Sequence, residues 1–520
     1  MLKINQIRCA VGEKLNAGHI AAKLHCSTAD IIAYEIERES LDARKAELCF
    51  SYSVLAEVRN EAKYLRRKDV SEGKKHIYEI PMAERQPEER PVVAGFGPSG
   101  MFAGLVLAES GLKPLIIERG RPVEKRSKDV QAYFETGIPD PESNVQYGEG
   151  GAGTFSDGKL TTRIKDERIH KVLAELIEAG ADPAIAYQAR PHLGTDRLQV
   201  IVRKIREKII ALGGEVRFET RLDDLETEDG RLKAVIAGGE RIPASLCILC
   251  LGHSASDTYE MLERRGIRII PKDFAAGVRV EHPQELIDRC QYGSYAGHPA
   301  LSAASYSLTY RSSCGRGVYS FCMCPGGIVI PAATEDRSLA VNGMSYSQRD
   351  GANANSAILV QIPKDDFFHG SALDGFAFQK ELEKRAWQTG AMAPSQNISD
   401  YLKHQKSSEF VLRSTYPLGT VPFDMHGLFS EEAGGAMAEA FADFNHKIPG
   451  FIDSGIMVGM ESRSSSPIRV PRTSAGFSES LEGLFPCGEG AGYAGGIISS
   501  AVDGVRQAEK LIRYLNCSEK

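Results

Sequence analysis

Long apolar runs are missing from this 520-residue chain. The longest lies near residues 246–251, LCILCL, far short of the roughly 20 residues a membrane-spanning helix needs. No membrane association is therefore expected. The opening MLKINQIRCA lacks the apolar core of a signal peptide. The eleven cysteines are odd in number and follow no framework spacing, which reads as reduced thiols in a cytoplasmic protein. No His or Cys cluster has metal-ligand spacing, so no metal is expected. Charge is also close to balanced. A net charge of −6 creates no global field that would draw the chain to nucleic acid or anionic lipid. Solenoid repeats and low-complexity tracts are absent. The 42% hydrophobic and 25% charged content is that of an ordinary globular protein. The length implies two to four domains.

What is present is concentrated in residues 91–120, PVVAGFGPSGMFAGLVLAESGLKPLIIERG. An apolar strand runs into Gly95, Gly97 and Gly100 as G-x-G-x-x-G, an apolar helix follows, and Leu115-Ile116-Ile117 leads to Glu118. This is the pattern of a strand-turn-helix-strand unit that binds a dinucleotide. Gly95 permits the tight turn, Gly97 lets backbone approach a pyrophosphate, and Gly100 lets helix and strand pack closely. The N–H groups that open the helix face the phosphates. Glu118 is placed to accept hydrogen bonds from ribose hydroxyls.

Residues 1–88 read as a separate α+β module. Ile7, Cys9 and Val11 alternate, as do Leu48, Phe50, Tyr52 and Val54, with a short helix at residues 19–25 between them. Arg66-Arg67-Lys68 and Lys74-Lys75 could touch nucleic acid. Asp69 and Glu72 interrupt them and no aromatic platform accompanies them, so a solvated face is expected and a nucleic-acid partner is not. Residues 89–274 form the first part of the dinucleotide-binding domain. Within it, Asp196 can cap a helix carrying Leu198, Ile201, Ile205, Ile209 and Leu212 that ends at Gly213-Gly214. Residues 222–236 read as a hairpin or meander turning at Asp229-Gly230. Residues 275–455, which mix strands and helices, read as a substrate domain. Residues 456–520 return to the first unit, with a helix over residues 499–515.

The two ends of the chain together resemble two-dinucleotide-type flavoproteins. Gly488-Glu489-Gly490 resembles their C-terminal loop, with Glu489 in the acidic position that reaches the ribityl or pyrophosphate part of FAD. Ile248-Leu249-Cys250-Leu251-Gly252 resembles the strand-glycine element before their substrate domain. More closely, the chain resembles the FAD-dependent family labelled NAD(FAD)-utilising dehydrogenases. That resemblance rests on VQYGEGGAGTFSDGKL (145–160), RPHLGTDRL (190–198), GHSASDTYEML (252–262), FCMCPGG (321–327), LAVNGMSYS (339–347) and FPCGEGAGYAGGI (485–497). It implies an α/β and α+β architecture. A glutathione-reductase-like Rossmann FAD-binding domain would carry an inserted mixed α+β substrate domain, preceded by a ferredoxin-like α+β module. It assigns FAD contacts to Gly95, Gly97, Pro98, Ser99, Gly100, Glu118 and Arg119 in the first unit. Gly151, Gly153, Ser156 and Lys159 would lie along the pyrophosphate and flavin, with Gly148, Gly150 and Asp157 beside them. Gly488, Glu489, Gly490, Gly495, Gly496 and Ile497 would close the site.

The implied activity is a hydride or electron exchange between FAD and a small-molecule substrate. Glutathione-reductase-like enzymes with a permanent NADPH site carry a second Rossmann unit and usually a redox Cys pair soon after the first. This chain has neither, so NAD(P)H would act as a transient reductant or another donor would serve. His192 could move the accompanying proton or simply hold a loop. Cys322 and Cys324 lie on an extended segment that points both thiols to one face. The pair, with Cys324 the catalytic candidate, could relay electrons or form a disulfide, or both could be small residues packed below the flavin ring. Cys247 and Cys250 point to opposite faces of a strand. Arg463 and Arg469 could bind an anionic substrate, stabilise a reduced flavin or form structural salt bridges. Phe367-Phe368 and Phe376-Phe378 could line a pocket for an isoprenoid or polycyclic substrate, although core packing explains them more cheaply. A second class of reading makes the protein a flavin-bearing regulatory protein whose N-terminal module docks RNA or a protein partner.

Overall fold

Three short apolar segments, each too brief to stand alone, meet as the centre of a parallel sheet. The computed structural model describes residues 1–44, 47–75 and 77–517. Its five-stranded parallel sheet runs Leu484–Pro486, Cys247–Leu249, Val92–Ala94, Leu115–Ile117, Glu215–Arg217. All three central strands are buried on both faces, as the continuous apolar runs require. Cys247 and Cys250 do pack in different cores on opposite sides of this sheet.

Helix Pro98–Glu109 follows the first strand and is buried on every side from Ser99 to Ala108. Its small residues make that burial compatible with two close neighbours. A Cβ on Gly104 would stand 2.4 Å from Ile116 Cδ1 of the sheet, and one on Gly504 would stand 2.1 Å from the Ser99 carbonyl. The C-terminal helix Ile497–Cys517 thus lies against the first helix, and both begin at the same end of the sheet. The expected hairpin is observed as Leu222–Glu228 and Arg231–Ala237, with Asp229 and Gly230 both at positive φ. Helix Thr195–Ala211 forms where its periodicity predicts, but Asp196 does not cap it. Its carboxylate accepts instead from the Ser347 N–H and hydroxyl, at 2.8 and 2.7 Å. Leu212 lies beyond the helix and is exposed.

A seven-stranded sheet forms the second large layer. Its order is Thr309–Arg311, Gly317–Cys324, Asn353–Ile362, Phe274–Pro283, Ile456–Glu461, Ala393–Asn397, Thr420–Pro422. Helix Glu431–Lys447 covers one face. Strand Ile456–Glu461 belongs to this sheet although it lies beyond residue 455. Phe367, Phe376 and Phe378 pack in cores, Phe376 stacked on Tyr259, and Phe368 sits on the surface. None of them lines the central cavity, so the apolar-pocket reading of these aromatics is corrected.

The N-terminal sheet is antiparallel, in the order Ile31–Asp42, Cys49–Val58, Leu2–Ala10, Val70–Glu72. Helix Ala17–Leu24 is capped by Asn16, and a single 3-10 turn, Glu61–Lys63, precedes the last strand. The basic stretch there is partly engaged. Lys75 pairs with Glu35, and Arg67 donates to the Lys23 carbonyl at 3.0 Å. Among the described residues, no helix is long and apolar enough to cross a membrane, and no group of three or more His, Cys, Asp or Glu could hold a metal ion.

Candidate functional site

The glycine turn, the 148–153 loop, the C-terminal loop and the seven-stranded sheet enclose one cavity of 1220 Å³. Gly95 sits at φ +102°, and a Cβ there would stand 2.3 Å from the Cys250 carbonyl. One on Gly100 would stand 1.9 Å from the Gly95 carbonyl. These two glycines therefore serve the turn and its packing, and Gly100 is not on the cavity wall. Gly97 differs. A Cβ there meets nothing nearer than Gly151 Cα at 3.8 Å, and the residue lines the cavity with Pro98 and Ser99. Gly97 caps the helix without a side-chain hydrogen bond, which leaves first-turn N–H groups without an intrahelical partner.

Glu118 is buried, and its carboxylate accepts from the Phe96, Gly120 and Gly148 N–H groups at 2.8, 2.9 and 3.0 Å. It thus ties the first turn to the 148–153 loop as well as bordering the cavity. The sequence shows the acid but not these donors, which come from three separate turns. Arg119 lines the cavity over the Tyr147 ring at 4.1 Å, and pairs with Glu142 and Asp257 at 2.8 and 3.0 Å. Gly151, Gly153, Ser156 and Lys159 all line the wall. The Ser156 hydroxyl is already used, donating to the Gly153 carbonyl at 2.7 Å. Asp157 lies beneath the wall and binds Ser345 and Arg349.

In the C-terminal loop, Glu489, Gly495, Gly496 and Ile497 line the cavity, whereas Gly488 and Gly490 do not. These two are packing glycines. Their Cβ atoms would stand 2.6 Å from Ser99 Oγ and 2.1 Å from the Gly252 carbonyl. The Gly488 N–H donates to Asp503 at 2.8 Å, a partner on the last helix that sequence reading missed. His253 was also missed as an individual, although it stands in the GHSASDTYEML motif. It lines the cavity, its Nδ1 is 3.2 Å from Glu489, and its buried Nε2 has no partner among the described residues.

Three expected catalytic residues fall differently. His192 does not line the cavity. Its Nε2 bonds the Ser347 carbonyl at 3.2 Å, and burial together with the Arg349 charge lowers its pKa. Cys324 is fully buried and off the wall, because a bulge after Phe321 breaks the alternation of the strand. Cys322, at φ +43°, takes the place on the wall. A hydrogen bond with Cys324, helped by Arg279 and Lys159, holds the Cys322 thiol below its ordinary pKa. Arg463 does line the cavity, and it forms a two-pronged pair with buried Glu383 at 2.7 and 2.8 Å. Arg469 donates to the Gly492 carbonyl at 3.2 Å and steadies the C-terminal loop.

Glu149 lies within the second glycine loop and is completely buried. Burial pushes its carboxyl up to about 7, outweighing the Val123 N–H and Arg206 that favour the charge. A carboxyl raised in this way gives stability that is full below its unfolded pKa and lost as pH rises through about 7. Denaturation midpoints should accordingly fall less between about pH 5 and pH 8 in Glu149→Gln than in the unaltered protein. Identical slopes in the two would refute this.

A dinucleotide of the FAD type fits these residues. Gly97, Gly252, Gly495 and Gly496 present wall positions where a Cβ would meet no protein atom within 3.5 Å. His253 adds a polar atom without a partner. Residues 273–464 match the FAD-dependent protein, C-terminal domain-like family, and residues 1–57 match a domain of unknown function. An uncharacterized protein of Clostridium beijerinckii is 44% identical over 526 residues, covering 98% of each chain. The chain belongs to the family of that protein, and residues 273–464 carry its match to FAD-dependent proteins. Protein FixC of Escherichia coli K12 is 26% identical over 224 residues, which are 41% of this chain and 48% of FixC. Among solved structures, a geranylgeranyl bacteriochlorophyll reductase-like protein from Thermoplasma acidophilum overlaps at a TM-score of 0.38. Its identity is 12%, over 82% of this chain and 78% of that one.

Proposed function

We propose that this protein is an FAD-dependent oxidoreductase of glutathione-reductase-like arrangement that acts on a small organic substrate. The observation that carries the reading is the cavity shared by the three glycine loops and the seven-stranded sheet. Backbone N–H groups from Gly97 onward and the start of helix Ile497–Cys517 would hold the pyrophosphate. Glu118 and Arg119 would border the adenosine end, and Gly151, Gly153 and Lys159 the remainder. Bound there, FAD supplies hydride or electron exchange. The chain's own residues bind, orient and exclude water. Residues 1–88 would form the N-terminal module, 89–274 and 462–520 the FAD-binding domain, and 275–455, extended to Glu461, the substrate domain. Cys322, beside Lys159, replaces Cys324 and His192 as the group able to hold or release a proton at the cavity wall.

Anaerobic titration of the full-length yellow protein tests this reading, with NADH and NADPH as candidate transient donors. Bleaching at about 450 nm by either donor is the expected result. A protein that carries no flavin, or whose flavin no donor bleaches, would count against it.

A further inference from the structure

The cavity continues past the glycine loops to a mouth bounded by strand Gly317–Cys324 and the segments at residues 159–164 and 189–191. Its charge is one-sided. Lys159, Arg163 and Arg190 line it; the Lys159 charge is felt by buried Asp157, while Arg163 and Arg190 form no ion pair among the described residues. Lys159 donates to the Met323 carbonyl, and Arg190 donates to the Ser305 hydroxyl at 3.1 Å. Neither bond neutralises a charge, and a guanidinium keeps further donors free. The acids of the cavity are committed elsewhere: Glu118 to backbone N–H groups, Glu461 to Arg279 and Glu489 to His253.

The same strand, Gly317–Cys324, supplies an apolar surface to the cavity. Tyr319 and Phe321 are two residues apart on one strand and so share a face. Tyr319 packs against Ala357 and Leu359, while Phe321 remains 37% exposed. The Arg163 charge is felt at the Tyr319 phenol, where it opposes the rise caused by burial. The segment bearing Arg190 is braced by the N-terminal module. Glu39 donates its N–H to the Tyr187 carbonyl at 2.7 Å and accepts from Ala189 N–H at 2.8 Å.

We infer that the mouth is the substrate subsite and selects organic anions, with a carboxylate or phosphate held by Arg163 and Arg190 and an apolar body lying on Tyr319 and Phe321. This rests on the flavoenzyme reading above and names its substrate class. Arginine suits such a group because its planar fork meets two oxygens at once.

Calorimetry on the full-length flavin-loaded protein tests the inference with 3-phenylpropanoate, its neutral amide, 2-phenylethyl phosphate and acetate. The acid should bind at least about tenfold more tightly than the amide and than acetate, a difference of about 1.4 kcal/mol. Arg163→Gln and Arg190→Gln should each erase most of the preference over the amide while flavin content stays unchanged. Tighter binding of the phosphate than of the acid would assign phosphorylated substrates; the reverse would assign carboxylates. Equal binding of acid and amide, equal binding of acid and acetate, no binding, or unaffected variants would overturn the inference. Absence of flavin from the purified protein would sink the flavoenzyme reading, while the anion preference would still be measurable on the same sample.

Discussion

Replacing Gly97 by alanine is expected to strip the protein of flavin and leave its fold intact. The added methyl would stand 3.8 Å from the nearest protein atom outside its chain neighbours, ordinary contact, at a φ of −75° that any residue adopts. It would project from the cavity wall into the proposed pyrophosphate site, and the chain would have no means of retreat because Gly95 and Gly100 are locked by their own contacts. Flavin retained after desalting should drop at least about tenfold, or about 1.4 kcal/mol in affinity, with an unchanged far-ultraviolet circular dichroism spectrum. Gly100→Ala is the contrasting variant. Its methyl would stand 1.9 Å from the Gly95 carbonyl, so it should damage folding itself. Full flavin retention in folded Gly97→Ala would place the cofactor elsewhere.

The second large effect is expected beneath the cavity. Arg279 is fully buried on the central strand Phe274–Pro283. It bonds Glu461 at 2.9 Å, the Asn355 side chain at 2.7 Å and the Cys322 carbonyl at 3.0 Å. Arg279→Met would leave Glu461 as a buried charge without its partner, a loss of about 3–5 kcal/mol. That is a large part of the roughly 5–15 kcal/mol that holds a domain together. Arg279→Met combined with Glu461→Gln should recover most of it, because both charges are then gone. Urea denaturation of the two variants decides the matter. A cost below about 1 kcal/mol in the single variant, or no recovery in the double, would refute the account.

The first strand-turn-helix-strand unit was legible because each of its demands is local. A turn needs Gly95, a close approach needs Gly97, and both strands are uninterrupted apolar runs, so residues 91–118 could be read without the rest of the chain. The hairpin at Asp229-Gly230 was legible for the same reason. The second and third glycine loops were found as motifs, yet their members could not be sorted. Gly97 and Gly488 look alike in a string, but one faces the cavity and the other faces Ser99. His192 and Cys324 had the right chemistry for catalysis. A carbonyl from residue 347 and a bulge after residue 321 placed both behind the wall.

By itself, then, the sequence determined the glycine turn at residues 95–100 and the apolar strands around it, since these follow from short-range sterics and apolar patterning; the resemblance to FAD-dependent proteins rested on its long motifs. Only the tertiary structure decided which residues share the cavity. Arg163, Arg190, Tyr319 and Cys322 come from segments up to about 160 positions apart, and their juxtaposition depends on how two sheets pack, which no local periodicity encodes.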